Sequence, residues 1–345
     1  MTHVRVSLTV WKPVRFTLEA EFPLARGLTA LVGPAASGKS LLLKCIAGFE
    51  RPDSGRVMID DAIVFDAQAK VNLRPRFRQA AFLPQTDTMF PKMTVRQNLM
   101  FAAEKWARLE RHKRVAEMAE RFELAQYIES MASDLTPRQR VSCALARALL
   151  AEPKVLLIDE CGIQEAQVRQ VRDAFSGPVL LATGNLDLCY AAASEMILLQ
   201  GGRIVQRGPA QEVMEKPESA DAARLAGFEN IFAAEVVGLD PGRNTSLLKC
   251  DAFELSAPYL PGHFKGDRVT IAIRAEDVQV HSGEIEAGEN FLATELKSIS
   301  ESTRHVRLEF AAGLVAEVRR FQWLRQRDNR SWQVELPPAA LRPPL

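Results

Sequence analysis

The stretch GLTALVGPAASGKSLLLKCIAG, residues 27–48, decides the fold of this chain. Residues 28–32 form an apolar run with Thr29 as its one hydroxyl-bearing member, which predicts a buried β-strand. The segment GPAASGKS at 33–40 follows directly, and residues 41–46, which are apolar except for Lys44, then predict a helix that ends at Gly48. A strand that enters a glycine-rich loop and leaves it as a helix predicts an α/β protein of the P-loop kind.

The loop at 33–40 carries the groups needed to bind a triphosphate. Its two glycines let backbone N–H groups approach a phosphate, Lys39 is expected to reach the β- and γ-phosphates, and the Ser40 hydroxyl is expected to ligate Mg²⁺. An accidental glycine turn is the alternative, and the strand–loop–helix context disfavours it. The residues expected to bind ATP here are Gly33, Pro34, Ala35, Ala36, Ser37, Gly38, Lys39, Ser40 and Leu41.

A second apolar run, 155–158, predicts another buried strand, and it ends in Asp159 and Glu160. An apolar strand that ends in acids is common by itself, but beside a P-loop it predicts a metal-binding and catalytic pair. We expect Asp159 to hold Mg²⁺ through water and Glu160 to polarise the attacking water.

The rest of the pattern predicts two domains. Residues 86–150 are helical in pattern and are expected to form an inserted subdomain, while β runs between 179 and 199 alternate with helices and predict a parallel sheet. Further on, short β-like runs separated by Gly, Pro and Asp turns predict a small all-β domain. We expect an α/β domain over 1–228 and a β domain over 229–345.

Composition and charge exclude several functions. A formal net charge of +1 gives no overall attraction to nucleic acid, and the basic residues at 108–114 are interleaved with glutamates, as on a solvated helix face. No window approaches the roughly 20 apolar residues that span a bilayer, and the N-terminus lacks a secretory signal, so a cytosolic location is expected. The five cysteines are scattered and are expected to be buried free thiols.

With these motifs, the chain resembles the ATP-binding subunits of ABC transporters, and most closely those of molybdate-type oxyanion importers. The resemblance covers nearly the whole length. The segments that carry it are ALVGPAASGKSLLLKCIAGFERPDSG (30–55), AAFLPQTDTMFPKMTVRQNL (80–99), ALARALLAEPKVLLIDE (144–160), GGRIVQRGPAQEV (201–213), GFENIFAAEVVG (227–238) and IAIRAEDV (271–278). The last two resemble the family's C-terminal regulatory β-barrel, an OB-like domain of the TOBE or MOP kind.

The resemblance implies partners and further site residues. Such a subunit binds Mg-ATP, pairs with a second nucleotide-binding subunit, identical or not, and drives integral membrane permease subunits from the inner face of the cell membrane. Gln85 would contact Mg²⁺ and the attacking water and signal to the permease; an exposed loop glutamine is the alternative. Trp11 falls where the family places an aromatic that stacks on adenine, but a core or edge-strand tryptophan fits as well, and Phe16 is a rival.

Three segments depart from the family pattern. The signature loop LSGGQ is replaced by LTPRQ at 135–139, where Pro137 removes a backbone donor and Arg138 adds bulk. Thr136 can replace the serine hydroxyl and Arg138 could approach the γ-phosphate as a cation; a helix cap without a role at the nucleotide is the alternative. Gly184 occupies the position of the switch histidine, with Asn185 beside it as a source of a weaker hydrogen bond, and no S-x-L-D loop follows Glu160. Loss of one positioned group costs about 10² to 10³ in rate, so we expect slow hydrolysis and persistent ATP binding.

Two functions from different classes therefore remain open. One is an import ATPase subunit that drives a permease, and the other is a non-hydrolytic, nucleotide-gated regulatory subunit paired with an active ATPase. A P-loop kinase or GTPase is poorly supported, because the sequence has no N-K-x-D guanine-recognition motif. The transported solute is not encoded in any motif that we recognise.

Overall fold

The computed structural model describes residues 2–10, 15–86, 88–251, 253–282, 288–327 and 332–342. It divides into two compact units, Met1–Gln211 and Glu212–Leu345.

The first unit is built on a mixed sheet of eleven strands. Its strands are β1 Thr2–Val10, β2 Phe16–Leu24, β3 Gly27–Val32, β4 Ser54–Ile59, β5 Ala62–Asp66, β6 Val71–Asn72, β7 Ala80–Leu83, β8 Val155–Asp159, β9 Pro178–Ala182, β10 Glu195–Gln200 and β11 Arg203–Pro209. They lie side by side in the order β6-β5-β4-β1-β2-β11-β10-β3-β9-β8-β7. The helices are α1 Lys39–Ala47, α2 Val95–Ala102, α3 Arg108–Arg121, α4 Pro137–Leu150, α5 Glu165–Ala174, α6 Leu186–Ala192 and α7 Ala210–Glu215.

The strands β10, β3, β9, β8 and β7 run parallel, as the alternating pattern predicts. In β8, Leu156 and Ile158 face one hydrophobic cluster, whereas Val155 and Leu157 face a second cluster on the other side of the sheet. A strand buried on both faces needs an uninterrupted apolar sequence. The continuous apolar runs in the sequence therefore correspond to the centre of the sheet.

The helical insertion lies between β7 and β8, as expected. Helices α2, α3 and α4 bury Leu99, Phe122 and Leu145 in a shared core. Both α2 and α4 begin at a threonine, Thr94 and Thr136, whose side chain forms a capping box with a glutamine three residues later. The predicted α/β fold with inserted helices is thus confirmed.

The second unit is an all-β domain with two short helices. Its elements are α8 Ala220–Leu225, β12 Asn230–Asp240, β13 Thr245–Cys250, β14 Glu254–Pro258, β15 Arg268–Ile273, β16 Gln279–Ser282, β17 Phe291–Thr294, β18 Leu296–Glu301, β19 His305–Phe310, β20 Val315–Arg319, α9 Arg320–Gln326 and β21 Trp332–Glu335. The strands form three sheets, ordered β14-β13-β12-β15, β16-β21-β17 and β18-β19-β20.

The division between the compact units comes earlier in the chain than the boundary expected at 228–229. Helix α8 accounts for the difference, because Ala223, Ala226 and Phe228 share a hydrophobic cluster with Ala272 of β15. The end of the expected first domain therefore packs with the β strands. Within the described ranges, no helix has the length and apolar character needed to cross a membrane.

Candidate functional site

The loop between β3 and α1 has a backbone that only glycine can supply at two positions. A Cβ on Gly33 would lie 2.2 Å from the Leu199 carbonyl oxygen, and Gly38 has φ 105°. Helix α1 begins directly after Gly38 with no side chain capping its first N–H groups. An uncapped helix start next to a glycine loop is suited to bind an anion.

Lys39 places a buried cation at this loop. Its Nζ donates to the carbonyl oxygens of Gly33 at 2.7 Å and Pro34 at 3.1 Å, and lies 3.2 Å from Glu160 Oε1. Only 7% of the Lys39 side chain is exposed. A desolvated ammonium held over a loop of N–H donors provides strong attraction for a phosphate group.

Ser40 and Asp159 meet beside the lysine. Ser40 Oγ donates to Asp159 Oδ1 at 3.0 Å, which brings together the first turn of α1 and the end of β8. Burial raises the pKa of the Asp159 carboxyl, with a smaller contribution from the charge of Glu160, while the hydrogen bond from Ser40 opposes the rise. A hydroxyl and a carboxylate are oxygen ligands of the kind that Mg²⁺ prefers, so the pair fits this metal.

Ser37 adds an orphaned polar atom to the loop. Its Oγ is buried and has no hydrogen-bond partner among the described residues. A buried hydroxyl without a partner costs free energy, which a phosphate oxygen would recover by accepting its hydrogen bond. The loop therefore fits a phosphorylated ligand on an observation independent of its sequence motif.

Glu160 is held in an unusual backbone conformation. It has φ 38°, in the left-handed region that non-glycine residues seldom occupy, and its N–H donates to the Ala182 carbonyl at 3.0 Å. Its half-exposed side chain reaches Lys39. Strain of this sort is often found at functional sites, which agrees with a role for Glu160 in chemistry.

Gln85 follows β7, the strand that pairs with β8. It is exposed and borders a cavity of about 200 Å³ that is also lined by Pro137 and Cys161. Within the described chain, Gln85 makes no hydrogen bond to Ser40 or Asp159. Its contact with metal and water stays a prediction.

The aromatic expected at adenine can be described only for one of the two candidates. Trp11 lies outside the described residues. Phe16, at the start of β2, is half-buried, and a Cβ on Gly38 or Gly202 would lie 3.1 Å from its ring. Phe16 therefore touches the phosphate loop itself.

The segment 135–139 forms the start of α4. Thr136 is the N-cap: its N–H donates to Gln139 Oε1 at 2.8 Å, and its Oγ1 accepts from the Gln139 N–H at 3.4 Å. Pro137 occupies the first turn, and the side chain of Arg138 is exposed. The threonine hydroxyl is thus engaged in capping its own helix.

The position of the missing switch histidine is open. A Cβ added at Gly184 would meet no atom within 4 Å. The neighbouring Asn185 caps α6, because its Oδ1 accepts from the Leu188 N–H at 2.9 Å. The carboxamide oxygen is therefore used by the helix, and only the Asn185 Nδ2 could donate to a phosphate oxygen in place of an imidazole.

Arg78 is a residue that the sequence did not single out. It is almost fully buried, and its guanidinium donates to the carbonyl oxygens of Cys45 at 2.8 Å and Ile46 at 2.9 Å, at the end of α1. A cation at the C-terminus of a helix stabilises its dipole. Arg78 therefore anchors the helix that carries Lys39 and Ser40.

The cysteines are free thiols and hold no disulfide. Burial raises the pKa of Cys45 to about 12, and four of the five are buried. Among the described residues, no cluster of three or more His, Cys, Asp or Glu side chains is arranged to bind a metal.

A glycine loop, a buried lysine and a strand-end carboxylate on a parallel sheet define a P-loop nucleotide-binding protein. Residues 19–162 match the family described as ABC transporter. The chain is 28% identical over 295 residues to the molybdenum import ATP-binding protein ModC of Rhodospirillum rubrum, with 82% of this chain and 80% of that protein covered. It is 33% identical over 226 residues to the molybdate/tungstate import ATP-binding protein WtpC of Archaeoglobus fulgidus, with 63% and 91% covered.

The chain belongs to the family of ABC transporter ATP-binding subunits, close to those of molybdate importers. A solved structure described as the ATP binding subunit of an ABC transporter matches it with a TM-score of 0.52 at 21% identity, covering 61% of this chain and 90% of that one. That likeness supports the fold. The resemblance inferred from the motifs is confirmed.

Proposed function

We propose that this chain is the Mg-ATP-binding subunit of an importer for an oxyanion such as molybdate, with weakened hydrolysis. The observation that carries the proposal is that four side chains meet at one loop. Ser40 Oγ lies 3.0 Å from Asp159 Oδ1, and Lys39 Nζ lies 3.2 Å from Glu160 Oε1. In this proposal, the loop residues 33–41 bind the phosphates.

The chain's own residues have distinct roles in the proposal. Lys39 binds phosphate oxygens, and Ser40 and Asp159 hold Mg²⁺ with Gln85 completing the site. Bound Mg²⁺ neutralises charge on the phosphates. Glu160 accepts a proton from the attacking water, for which its position beside Lys39 is suitable. Trp11 or Phe16 stacks on the adenine.

The proposed solute and partners come from the relatives, whose names state import of molybdenum, molybdate or tungstate. The chain would act at the inner face of the cell membrane with integral permease subunits and a second nucleotide-binding subunit. Exposed aromatic residues support a partner surface. Phe49 packs on the partly buried Phe82 with 5.7 Å between ring centroids, and the exposed Phe90 and Phe101 lie 5.0 Å apart. The second unit corresponds to the family's regulatory β domain.

Slow hydrolysis is supported by two local observations. Thr136 is engaged as a helix cap beside Pro137, so neither offers a free donor to a nucleotide on an opposite subunit. Gly184 carries no side chain to donate a hydrogen bond to the γ-phosphate. Each lost donor removes stabilisation of the transition state but leaves the ground-state phosphate grip intact.

The same observations favour a second candidate, a non-hydrolytic regulatory subunit that pairs with an active ATPase. The two candidates differ in the rate of the purified chain. Turnover of about 1 s⁻¹ or faster, abolished by Glu160→Gln, would exclude the regulatory candidate.

The test of the main proposal combines binding and transport. Calorimetry on the full chain is expected to find ATP binding that requires Mg²⁺. In membrane vesicles that contain the permease and this chain as the ATPase subunit, molybdate uptake is expected with the natural chain and with Lys44→Ala, whose lysine is exposed on the same helix. Uptake that persists with Lys39→Ala would refute the proposal.

A further inference from the structure

We propose that Arg78 is a positioning residue for the metal-binding pair of Ser40 and Asp159. Its guanidinium fixes the last turn of α1 against the segment that leads into β7, and this keeps Ser40, at the other end of α1, within hydrogen-bond distance of Asp159. Arg78 contacts neither nucleotide nor metal in this role. The role rests on the proposed function, because the Ser40 and Asp159 pair is the Mg²⁺ site proposed there.

The hydrogen bonds of Arg78 join separate segments of the first unit. Its Nη1 donates to the carbonyl oxygens of Cys45 at 2.8 Å and Ile46 at 2.9 Å, in the last turn of α1. Its Nη2 donates to Asn72 Oδ1, at the end of β6, at 2.7 Å, and its Nε donates to the Leu73 carbonyl oxygen at 2.8 Å. Arg78 itself lies just before β7. One side chain therefore ties α1 to β6 and to the start of β7.

The two carbonyl groups of α1 that Arg78 binds lack the backbone donors that would continue the helix. The N–H groups of residues 48–50 all donate to the Lys44 carbonyl oxygen, at 2.9–3.2 Å. The carbonyl oxygens of Cys45 and Ile46 accept from the guanidinium instead. A cation at this end also interacts favourably with the helix dipole. Arg78 therefore completes the C-terminus of α1.

Arg78 is a buried cation whose acceptors are all uncharged. Only 1% of it is exposed, and within the described ranges no carboxylate forms an ion pair with it. A buried charge is costly unless polar groups replace its water, so the four acceptors must stay in place. The chain leaves room for it at Gly48, where a Cβ would lie 2.4 Å from Arg78 Nε. Because a guanidinium presents its donors in a fixed plane, the contact holds the end of α1 in one position.

The strands β7 and β8 connect this contact to the metal-binding pair. Ser40 and Ile46 are about 9 Å apart along the axis of α1, at about 1.5 Å per residue. Ser40 contacts Asp159 at the end of β8, and β8 is paired in parallel with β7. Arg78, just before β7, binds the other end of α1. A change at Arg78 therefore alters the distance between Ser40 and Asp159.

A displacement of α1 affects metal binding more than phosphate binding. The loop at 33–38 continues directly into α1, so its N–H groups and Lys39 move together with the helix. Ser40 and Asp159 lie on different elements, and their separation changes when α1 moves. Mg²⁺ demands nearly ideal ligand geometry, and the loss of groups that orient metal ligands typically costs about 10- to 100-fold in metal affinity. Arg78 therefore sets the Mg²⁺ requirement of ATP binding.

The test measures ATP binding to the full chain by calorimetry over a range of free Mg²⁺ concentrations. Arg78→Lys should raise the half-saturating Mg²⁺ concentration about tenfold, and excess Mg²⁺ should restore ATP affinity to within about twofold of the natural chain. Lys39→Ala should not be rescued by Mg²⁺, because it removes the phosphate contact itself. The matched control is Arg76→Lys, an exposed arginine of the same turn, which should leave the Mg²⁺ requirement unchanged.

A double variant tests whether Arg78 acts through Ser40. Ser40→Ala alone should raise the Mg²⁺ requirement, and Arg78→Lys added to it should change the requirement little further. Thermal unfolding of each variant checks the fold. If Arg78→Lys does not fold, Asn72→Ala decides: Asn72 is exposed, and its loss removes one acceptor of the guanidinium. This variant should raise the Mg²⁺ requirement about two- to threefold.

The outcomes separate this role of Arg78 from the proposed function. If the natural chain binds Mg-ATP and the folded Arg78 and Asn72 variants have its Mg²⁺ requirement, the positioning role is wrong and the proposed function stands. Effects of Ser40→Ala and Arg78→Lys that multiply in the double variant also overturn the role, because the two residues would then act independently. If the natural chain shows no Mg²⁺-dependent ATP binding, the proposed function is refuted and the role of Arg78 with it.

Discussion

The N-termini of helices α1 and α4 in the first unit differ in how their first backbone N–H groups are satisfied. Helix α1 follows Gly38, which contributes no side-chain cap, so its first donors are left for a ligand. Helix α4 follows Thr136, which closes a capping box with Gln139, and has Pro137 in its first turn. An open helix start can bind an anion, whereas a self-capped start contributes to stability.

This comparison separates binding from chemistry in the proposed function. The phosphate loop keeps its cation, its metal-binding pair and an orphaned hydroxyl on Ser37. The segment 135–139, which would contact a nucleotide on another subunit, instead uses the Thr136 hydroxyl to cap its own helix. A subunit of this kind would hold ATP well and turn it over slowly.

The largest expected effect tests the open start. Lys39→Ala should lower Mg-ATP affinity by about 10²-fold or more, because it removes a buried cation from the phosphates. Calorimetry measures it, with Lys44→Ala, an exposed lysine of the same helix, as the control. If both variants bind ATP as tightly as the natural chain does, Lys39 does not bind the phosphates, and the proposed difference between the N-termini of α1 and α4 is wrong.

Much of this contrast was readable in the sequence, because its causes are local. The continuous apolar run of β8 follows from burial on both faces, and the glycine at 33 follows from the close approach of the Leu199 carbonyl. The capping box at Thr136 also has a local signature, a threonine followed three residues later by glutamine, and a helix cap was the alternative that the sequence offered for this segment.

Other features depend on packing between distant segments and left no signature. Arg78 is one of several arginines in RPRFRQ, and only the tertiary fold selects it to cap α1. The contact of Phe16 with Gly38 and Gly202 requires β2 to lie beside β11. The boundary between the units lies earlier in the chain than the expected one for the same reason, because α8 packs on β15, which is distant in sequence.

The second prediction restores a missing sensor. Gly184→His should raise the ATPase rate about tenfold, because the site is open and an imidazole there could reach the γ-phosphate. The rate is measured by phosphate release from the purified chain in Mg-ATP. Gly184→Ala, which adds only the Cβ, is the control and should leave the rate unchanged. An equal rate in both variants would show that the histidine is not the limiting loss.

The third prediction concerns the capped N-terminus of α4. Replacing Pro137 and Arg138 together by glycine returns the backbone donor that Pro137 lacks and removes the bulk of Arg138, and it should raise the rate a few-fold, at a stability cost of about 1 to 2 kcal/mol from glycine in the first turn. Phosphate release and urea unfolding measure the two effects. Thr136→Ala, which removes only the cap, should cost about 1 kcal/mol without raising the rate. A rise with Thr136→Ala alone would contradict the capping argument.

The smallest effect concerns the Asp159 carboxylate, which contacts Ser40 in the first turn of α1. Burial raises the pKa of Asp159, so the folded chain binds this proton more readily than the unfolded chain does. The ionised carboxylate therefore opposes folding at pH values above the folded pKa, and this penalty disappears as the pH falls below the unfolded pKa.

The variant Asp159→Asn keeps an oxygen that accepts from Ser40 but carries no charge. In urea unfolding without Mg²⁺ or nucleotide, the variant should be more stable than the natural chain at pH 7, and its advantage should shrink toward about pH 4.5. The exposed Asp173→Asn should show no such trend. If Asp159→Asn is instead less stable at pH 7, the carboxylate is favourably accommodated without metal, and the buried charge does not prepare α1 for Mg²⁺.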